Sequence, residues 1–311
     1  MSLAPIAYFV YNRLAHTKQS IEALKKNIHA TESELIIFSD AAKNKESTDD
    51  VNKVREYIKT ITGFKKVIIR EREENYGLAK SFINGITEVV NQYNKIIVLE
   101  DDSLTSPYCL KFLNDALTIY EDENKVISIN AYVFPFKKPI PQNTFFIRGA
   151  DTWGFATWKR AWDLFEPDSQ KLKNQLIKEN KLNSFEMHGC FPFMHLLQEN
   201  IDGKNNSYTI RWYGSAILHN MLTLYPSISF VQNIGFDGTG THSSDTTIFN
   251  VKLRQTPITL NKIAIKEDKI ALKKVEHFYR NLSKEKKHNL LLTLYYYIGR
   301  IKNIITKSAT K

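Results

Sequence analysis

The sequence predicts an α/β fold in which helices cover both faces of a mainly parallel sheet. Strand-length apolar runs alternate with stretches of helical periodicity over the first 130 of the 311 residues. The runs are apolar almost without interruption, which is typical of strands that are buried on both faces of a parallel sheet. Connections of helix length between such strands indicate the same class.

The predicted elements follow one another in a regular order. Apolar runs predict strands at 6–11, 35–39, 67–70, 95–99 and 126–130. Side chains that recur every three or four residues predict helices at 15–28, 51–61, 78–90 and 107–120. The pattern is less regular after residue 131, with helices expected at 191–200 and 212–224 and a strand at 230–234. We expect one domain over residues 1–250, without a linker or an internal repeat.

Positive charge is concentrated at the C-terminal end. Residues 251–311 carry 15 Lys and Arg against 4 Asp and Glu, whereas the whole chain has a net charge of +10. An apolar helical stripe lies in this segment, at Leu291, Leu294, Ile298, Ile301 and Ile305. We expect 251–311 to be a basic extension whose amphipathic helix binds an anionic membrane surface. The alternative is a helix that packs on the core. No nucleic-acid-binding pattern accompanies the basic residues, so no nucleic-acid partner is expected.

Several classes of protein are excluded by what the sequence lacks. Two cysteines, Cys109 and Cys190, are too few for a disulfide scaffold or a cysteine-built zinc site, and they indicate a reducing compartment. Neither a signal peptide nor an apolar run of membrane-spanning length is evident. The expected location is therefore cytoplasmic, peripheral on the inner membrane. The glycine-rich turns of dinucleotide-binding and P-loop proteins are also missing.

Polar residues follow each predicted strand of the first half. Asn12 and Arg13 follow the first strand, Asp40 the second, residues 74–81 the third, and Glu100-Asp101-Asp102 the fourth. Ligands of α/β sheets bind at these carboxyl ends. Three adjacent acids at a buried strand end favour a divalent cation, Mn²⁺ or Mg²⁺, which could neutralise a departing nucleotide diphosphate. The alternative is a solvated acidic loop.

The segment at 98–112 resembles the metal-binding segment of the GT-A nucleotide-sugar glycosyltransferases. Val98-Leu-Glu-Asp-Asp102 is close to the form in the Golgi N-acetylglucosaminyltransferase I family. The wider resemblance, over about residues 4–245, is to a bacterial group related to family 2 and often labelled "hemolytic protein HlpA-like". It also depends on the segments 10–13, 38–40, 75–81, 149–162, 210–212 and 233–242.

The resemblance implies a GT-A fold and the residues of a donor site. It implies metal-dependent transfer of a sugar, with inversion, from a nucleotide diphosphate donor, preferably a UDP-sugar, to a glycolipid or surface-polysaccharide precursor. Asp102 would bind Mn²⁺ or Mg²⁺, and His242 would contact the metal or the diphosphate. The donor-binding residues would be Asn12, Arg13, Asp40, Asn75, Lys80, Ser81, Glu100 and Asp101.

Inversion requires a carboxylate that deprotonates the acceptor hydroxyl. Asp151 is our first candidate, because it precedes Trp153 and Gly154, the expected acceptor-binding residues. The Golgi relatives place their base in a later WDD-type segment, and the corresponding residues 207–212 contain no acid. The other candidates for the base are Asp163, Glu186 and Asp202. Core packing is expected for Trp158 and Trp162, and stacking on a sugar for Trp153.

Three other classes of function remain as alternatives. A GT-A-like module without catalytic activity would bind nucleotide sugars, but the intact acidic triplet argues against it. A nucleotidyltransferase would carry a glycine-rich, basic loop near its N-terminus, and residues 4–14 contain none. The label of the resembling group suggests a haemolysin, but nothing in the sequence resembles a pore former.

Overall fold

The computed structural model describes residues 2–138, 140–238 and 246–288, and the side chains of these ranges up to residue 283. Its strands are β1 (Ile6–Val10), β2 (Glu34–Ser39), β3 (Lys66–Glu71), β4 (Lys95–Glu100), β5 (Ser103–Thr105), β6 (Val126–Asn130), β7 (Thr144–Arg148), β8 (Phe155–Trp158), β9 (Leu222–Pro226) and β10 (Val231–Asn233). Its α-helices are α1 (Leu14–Lys25), α2 (Thr48–Ile58), α3 (Gly77–Tyr93), α4 (Cys109–Ile119), α5 (Lys159–Trp162), α6 (Ser169–Lys178), α7 (Leu182–Phe185), α8 (Phe193–Ile201), α9 (Tyr208–Leu218) and α10 (Lys269–His288).

Eight strands form one mixed sheet in the order β3-β2-β1-β4-β8-β6-β9-β7. The strands β1 to β4 are parallel to one another, and only β8 and β7 run against the common direction. The predicted α/β class with a mainly parallel sheet is confirmed. The chain order reverses at β1, which pairs with β2 on one side and with β4 on the other. That reversal opens a crevice outside the carboxyl ends of β1 and β4.

A second, two-stranded sheet lies beside that crevice. In it β10 pairs antiparallel with β5, so that Asn233 lies opposite Ser103 directly after the acidic triplet. The pairing brings Ile234 and Gly235, which follow β10, to the end of β4. Two residues far apart in sequence are thereby joined, since the amide of Ile234 donates to the carbonyl of Asp102 at 2.9 Å.

The core explains why the predicted strands are continuous apolar runs. Every residue of β1, β6 and β8 is buried, because helices cover both faces of the sheet. One hydrophobic cluster surrounds β1 to β4, and a second lies under α6 to α10. Buried apolar side chains stabilise a fold by about 25 cal/mol per Å² that they remove from water, so both clusters are major contributions.

One predicted helix is wrong in its second half. The apolar run at 212–224 was expected to be one helix, but α9 ends at Leu218 and Leu222 begins the central strand β9. Asn220 separates the two elements with φ of 54°, a left-handed conformation that ends helices. An apolar run buried in the core carries no period that distinguishes helix from strand.

The described residues after 250 pack on the rest of the protein. Ile258 belongs to the first hydrophobic cluster, and Ala271, Val275, Tyr279 and Leu282 of α10 belong to the second. Their spacing of three and four residues places them on one face of α10. The boundary at 250 stays a prediction about domains. The stripe predicted at 291–305 lies outside the described residues.

Candidate functional site

The crevice at the end of β1 and β4 contains an ion-pair cluster. Nη2 of Arg13, between β1 and α1, lies 2.5 Å from Oδ1 of Asp101 and 2.8 Å from Oδ2 of Asp102. The two carboxylate side chains are 6% and 12% exposed, so water screens them little. The structure therefore brings together Arg13 and the acidic triplet, which the sequence places 87 or more residues apart.

The pKa shifts of this cluster show that its negative charge is only partly compensated. Burial raises the pKa of Glu100 well above its usual value, and the charges of Asp102 and Asp101 raise it further. Burial also raises the pKa of Asp101 to about 6, although Arg13 acts in the opposite direction. Burial would lower the pKa of Arg13, but the charges of Asp101 and Asp102 raise it above its usual value. Three carboxylates share the charge of one guanidinium, which leaves the cluster open to a further cation.

The segment after β10 closes one side of the cluster. A Cβ atom at Gly235 would overlap Oδ2 of Asp102, so only glycine fits this position. Nδ2 of Asn233 lies 3.4 Å from Oδ1 of Asp102, and Nε2 of His16 on α1 lies 3.2 Å from Oδ2 of Asp237. Asn233 begins a segment that carries the family resemblance, but no role was predicted for it, and His16 was not identified from the sequence.

Asp40, at the end of β2, binds the N-terminus of α3. Its carboxylate accepts hydrogen bonds from the amides of Tyr76 and Gly77, both at 2.9 Å, and from Nδ2 of Asn75 at 3.2 Å. An anion at this end of a helix is stabilised by unpaired amides and by the helix dipole. Asp40 and Asn75, which were both predicted to bind the nucleotide-sugar donor, therefore contact each other.

The remaining predicted donor residues lie around this edge with different exposure. Asn12 is half-buried between β1 and α1, and Ser81 is buried on α3. Lys80 is exposed in the first turn of α3, with Nζ 3.9 Å from the centre of the Tyr76 ring. Nζ of Lys80 also lies 3.4 Å from Oε1 of Glu74, and its exposure leaves it within reach of a diphosphate in solvent.

Arg72 is a residue that the sequence analysis missed. Its guanidinium lies beside the rings of Phe38 and Tyr76, with the central carbon 5.4 and 5.0 Å from their centres. Nε and Nη2 are buried, and neither has a hydrogen-bond partner within the part of the chain that the structure describes. Buried donors without partners are rare and costly in folded proteins, which favours a ligand for them. Its place directly after β3 is a signal that could have identified Arg72.

Asp151 lies in the connection from β7 to β8, in the wall of a partly open cavity of about 40 Å³. Burial raises the pKa of Asp151 to about 6, and a hydrogen bond from the Tyr225 hydroxyl, at 2.8 Å, opposes this shift. The first turn of α9 lines the cavity with Ser207 and Thr209. The hydroxyl of Tyr208, in the same turn, is close enough to Glu100 for that carboxylate to raise its pKa, after the larger effect of burial.

The other candidates for the base have surroundings unlike those of Asp151. Asp163 pairs with Lys159 at 2.7 Å and its side chain is 55% exposed. Asp202 pairs with Lys204 at 2.9 Å, and hydrogen bonds from Lys204 and Gln198 lower its pKa. Glu186 is half-buried just after α7. Asp163 and Asp202 are thus each paired with a lysine, whereas Asp151 accepts a hydrogen bond from Tyr225 beside a cavity.

The tryptophans of the β7–β8 region lie largely in the core. Trp158 and Trp162 are buried, with ring nitrogens that donate to Leu117 and Thr87, so their predicted core packing is confirmed. Trp153 is half-buried, and aromatic rings lie 4.9 to 5.4 Å from it, those of Tyr132, Phe236 and Phe249. Gly154 has φ of 67°, and a Cβ atom there would lie 2.8 Å from Cγ2 of Val231.

A metal site built from protein side chains alone is not found in the described ranges. No three His, Cys, Asp or Glu side chains within 2–138, 140–238 and 246–283 converge as metal ligands would. His242, the second predicted ligand, lies outside the described residues. The carboxylates of the triplet nevertheless have the hard oxygen donors that Mn²⁺ and Mg²⁺ prefer, and Mg²⁺ sites often use one or two carboxylates with substrate phosphates.

Comparison with known families identifies the class of protein. The model of the family described as Glycosyl transferase family 2 matches residues 6–195, more than half of the chain. The chain therefore belongs to glycosyl transferase family 2, and its sheet flanked by helices is the GT-A fold that the resemblance implied. Among curated proteins no significant match is found.

Three solved structures with distant similarity are the following. The structure of TarS from S. aureus is 16% identical over 48% of this chain, with a TM-score of 0.31, and this chain covers 25% of its length. The structure of its residues 1–349 is 11% identical over 73% of this chain and 59% of that one, with a TM-score of 0.38. The mannosyltransferase PcManGT from Pyrobaculum calidifontis, in complex with GDP-Man and Mn²⁺, is 12% identical over 70% of this chain and 71% of that one, with a TM-score of 0.36.

Proposed function

We propose that this chain is a metal-dependent glycosyltransferase that moves a sugar from a nucleotide diphosphate donor, preferably a UDP-sugar, with inversion. The observation that carries the proposal is the cluster of Glu100, Asp101 and Asp102 with Arg13 at the point where the strand order reverses. A cluster of this kind at a ligand-binding edge, in a chain of family 2, favours catalysis over a structural role.

The donor nucleotide would lie along the carboxyl ends of β1 to β4. Arg72 supports this placement, because its buried Nε and Nη2 are suited to the oxygens of a base or phosphate. Asp40 and Asn75 would orient the nucleotide through the first turn of α3, with Lys80 beside the diphosphate. The predicted contacts of the other donor residues, Asn12, Arg13, Ser81, Glu100 and Asp101, belong to the same proposal.

Asp102 would hold Mn²⁺ or Mg²⁺, with His242 as a further contact. When bound, such an ion neutralises charge on the leaving diphosphate. Arg13 would favour the ionised form of Asp101, since its positive charge opposes the protonation that burial favours. Asp151 would accept the proton of the acceptor hydroxyl, with Trp153 and Gly154 beside the acceptor. A carboxylate with a pKa of about 6 is suited to that task near neutral pH.

The acceptor would be a glycolipid or a surface-polysaccharide precursor at the cytoplasmic face of a membrane. The basic segment 251–311 supports this, because positive charge attracts anionic lipid headgroups. In the described ranges no helix combines the length and apolar content that crossing a bilayer requires. The narrower likeness to the HlpA-like group and to the N-acetylglucosaminyltransferase I family is part of this proposal.

A screen of nucleotide sugars by thermal unfolding tests the proposal. A ligand of the folded state raises the melting temperature as its concentration rises. We expect a nucleotide sugar to do so in the presence of Mn²⁺ and much less after chelation, and the same donor to be hydrolysed slowly without acceptor. Binding without hydrolysis would indicate the inactive module, and formation of a nucleotide sugar from a nucleoside triphosphate would indicate the nucleotidyltransferase.

A further inference from the structure

The Asp151 carboxylate lines a small cavity that is partly open to solvent. The volume of about 40 Å³ accommodates roughly three water molecules or one hydroxyl-bearing group. Oδ2 of Asp151 accepts a hydrogen bond from Tyr225, and Oδ1 accepts none from the residues that the structure describes. One oxygen is therefore bound by the protein, and the other is available to a ligand.

Tyr225 is rigidly held. It is 2% exposed in β9, near the edge of the sheet, and pairs with Phe145 of β7. The rings of Tyr225 and Phe145 stack with centres 5.7 Å apart and planes within 9°. Burial, and the nearby charge of Asp151, raise the pKa of Tyr225 well above its ordinary value, so its hydroxyl stays a donor over the working pH range.

We propose that Tyr225 is a positioning residue for Asp151: its hydroxyl fixes one carboxylate oxygen so that the other can accept the proton of a sugar hydroxyl in the cavity. This inference rests on the proposed function, in which Asp151 is the base. A hydrogen bond to the ionised carboxylate also stabilises that form over the protonated one. Tyr225 would thus set both the direction and the basicity of Asp151.

The other charged or titratable groups around the cavity do not duplicate this role. Arg148 of β7 lines the cavity, but its guanidinium is bound by Glu267, with Nη2 and Oε2 2.7 Å apart. The hydroxyl of Tyr213 on α9 donates to the carbonyl of Phe185 at 3.1 Å. The remaining titratable residue of the cavity wall is Tyr279 of α10.

Tyr213 therefore offers a matched control. Tyr225→Phe and Tyr213→Phe each remove one tyrosine hydroxyl from residues that line the cavity, but only Tyr225→Phe removes a hydrogen bond to Asp151. In Tyr225→Phe we expect the acidic limb of the pH–rate profile for donor turnover to move up by about one pH unit. The rate at pH 6 then falls several-fold, while the rate at pH 8.5 changes little. Tyr213→Phe should leave the midpoint of that limb in place.

A second measurement does not depend on activity. The pKa of Asp151 is raised in the folded state, so its effect on stability is most favourable below pH 4 and is lost as pH rises through about 6. The difference in melting temperature between the wild type and Asp151→Asn should therefore change between about pH 4 and pH 6. In the Tyr225→Phe background, the same difference should extend to about pH 7. If Tyr225→Phe alone does not fold, recovery of folding in the double variant with Asp151→Asn reports the same coupling.

The proposal is supported if Tyr225→Phe shifts both the pH–rate profile and the pH dependence of the melting-temperature difference to higher pH. A stability curve that Tyr225→Phe leaves unmoved overturns the link between the two residues. A stability curve that moves while the rate profile does not overturns the assignment of Asp151 as base, and with it the positioning role. Failure of the wild type to turn over any nucleotide sugar overturns the proposed function instead, and the stability curves still report on Tyr225.

Discussion

The guanidinium of Arg13 contacts the carboxylate of Asp102, with 2.8 Å between Nη2 and Oδ2. Arg13 follows β1 and Asp102 follows β4, so this ion pair connects the ends of the two strands that border the crevice. The same guanidinium binds Asp101. One cation thus holds two buried carboxylates that would otherwise repel each other.

Arg13→Gln should destabilise the protein in a pH-dependent manner. Removal of one partner leaves buried carboxylates without a counter-charge, which costs about 3 kcal/mol in comparable sites. The folded-state pKa of Asp101 is already raised to about 6 and would rise further, so the loss should be large at pH 8 and should diminish as pH falls through 6. Urea unfolding at pH 5 and pH 8 measures the difference.

Lys53→Gln is the control for that experiment, because Lys53 forms an exposed ion pair with Asp50. Exposed pairs contribute at most about 1 kcal/mol, so this variant should unfold as the wild type does at both pH values. An Arg13 variant with equal losses at pH 5 and pH 8 would contradict the electrostatic account of the cluster.

Asp102→Asn should abolish turnover of the donor while the fold remains intact. The substitution retains the shape of the side chain but weakens a carboxylate ligand of Mn²⁺ or Mg²⁺. Calorimetry of UDP binding with and without Mn²⁺ should show a metal dependence in the wild type and little in the variant. Asp50→Asn, at an exposed position, is the control. Normal turnover by Asp102→Asn in a chelator-free assay would show that the metal assignment is wrong.

The sequence was sufficient to predict the sheet edge but not the contacts made there. The acids at 100–102 follow an apolar run, and the carboxyl ends of parallel strands meet at one edge, so their location follows from local pattern. The pairing of Arg13 with them depends on which strands are neighbours. The contact of Asp40 with Gly77 also depends on which strands are neighbours. Because β3 lies beside β2, the N-terminus of α3 comes close to Asp40 at the end of β2.

Long-range pairing also explains what was missed. β8 is only four residues long, and Phe155–Trp158 shows no alternation, since helices bury both of its faces. The partner of Asp151, Tyr225, lies 74 residues further along the chain, in a strand whose first three residues were predicted as helix. Neither propensity nor periodicity contains the information that these segments are adjacent.

Arg72→Met should weaken nucleotide binding without weakening the fold. Removal of the unpartnered Nε and Nη2 of Arg72 relieves a desolvation cost of about 1 kcal/mol, and loss of the cation–π contacts with Phe38 and Tyr76 costs about as much. The free energy of unfolding should therefore change by no more than about 1 kcal/mol. Loss of charged hydrogen bonds to a ligand should lower the affinity for UDP by about tenfold or more. Arg70→Met, which removes an exposed pair with Glu88, should change neither quantity. Lower stability with unchanged affinity would contradict the ligand role.

Asp151→Asn should lower the rate of sugar transfer by about 10²- to 10⁴-fold, with donor affinity nearly unchanged. The amide cannot accept the proton of the acceptor hydroxyl, but it keeps the volume of the carboxylate in the cavity. Asp163→Asn is the comparison, since Asp163 pairs with Lys159 at the surface. Loss of donor binding in Asp151→Asn would locate Asp151 at the nucleotide. An unchanged rate would redirect attention to Asp163, Glu186 and Asp202.

The last prediction concerns the C-terminal residues. A variant that ends at Asn289 lacks four basic residues, Arg300, Lys302, Lys307 and Lys311, and the apolar stripe at 291–305. Each basic residue near an anionic bilayer contributes about 1 kcal/mol, and burial of the stripe at the headgroup boundary adds to this. The full-length protein should sediment with anionic liposomes at low salt, and the shortened protein should not.

The shortened protein should still fold and bind donor, because it retains the face of α10 that packs in the second hydrophobic cluster, from Ala271 to Leu282. Its activity on a lipid-linked acceptor should fall more than its hydrolysis of the donor. High salt should release the full-length protein from liposomes only in part, since salt screens charge and leaves the burial of apolar side chains in place. Aggregation or unfolding of the shortened protein would show instead that residues after Asn289 belong to the core. A full-length protein that ignores anionic liposomes at low salt would contradict the membrane role directly.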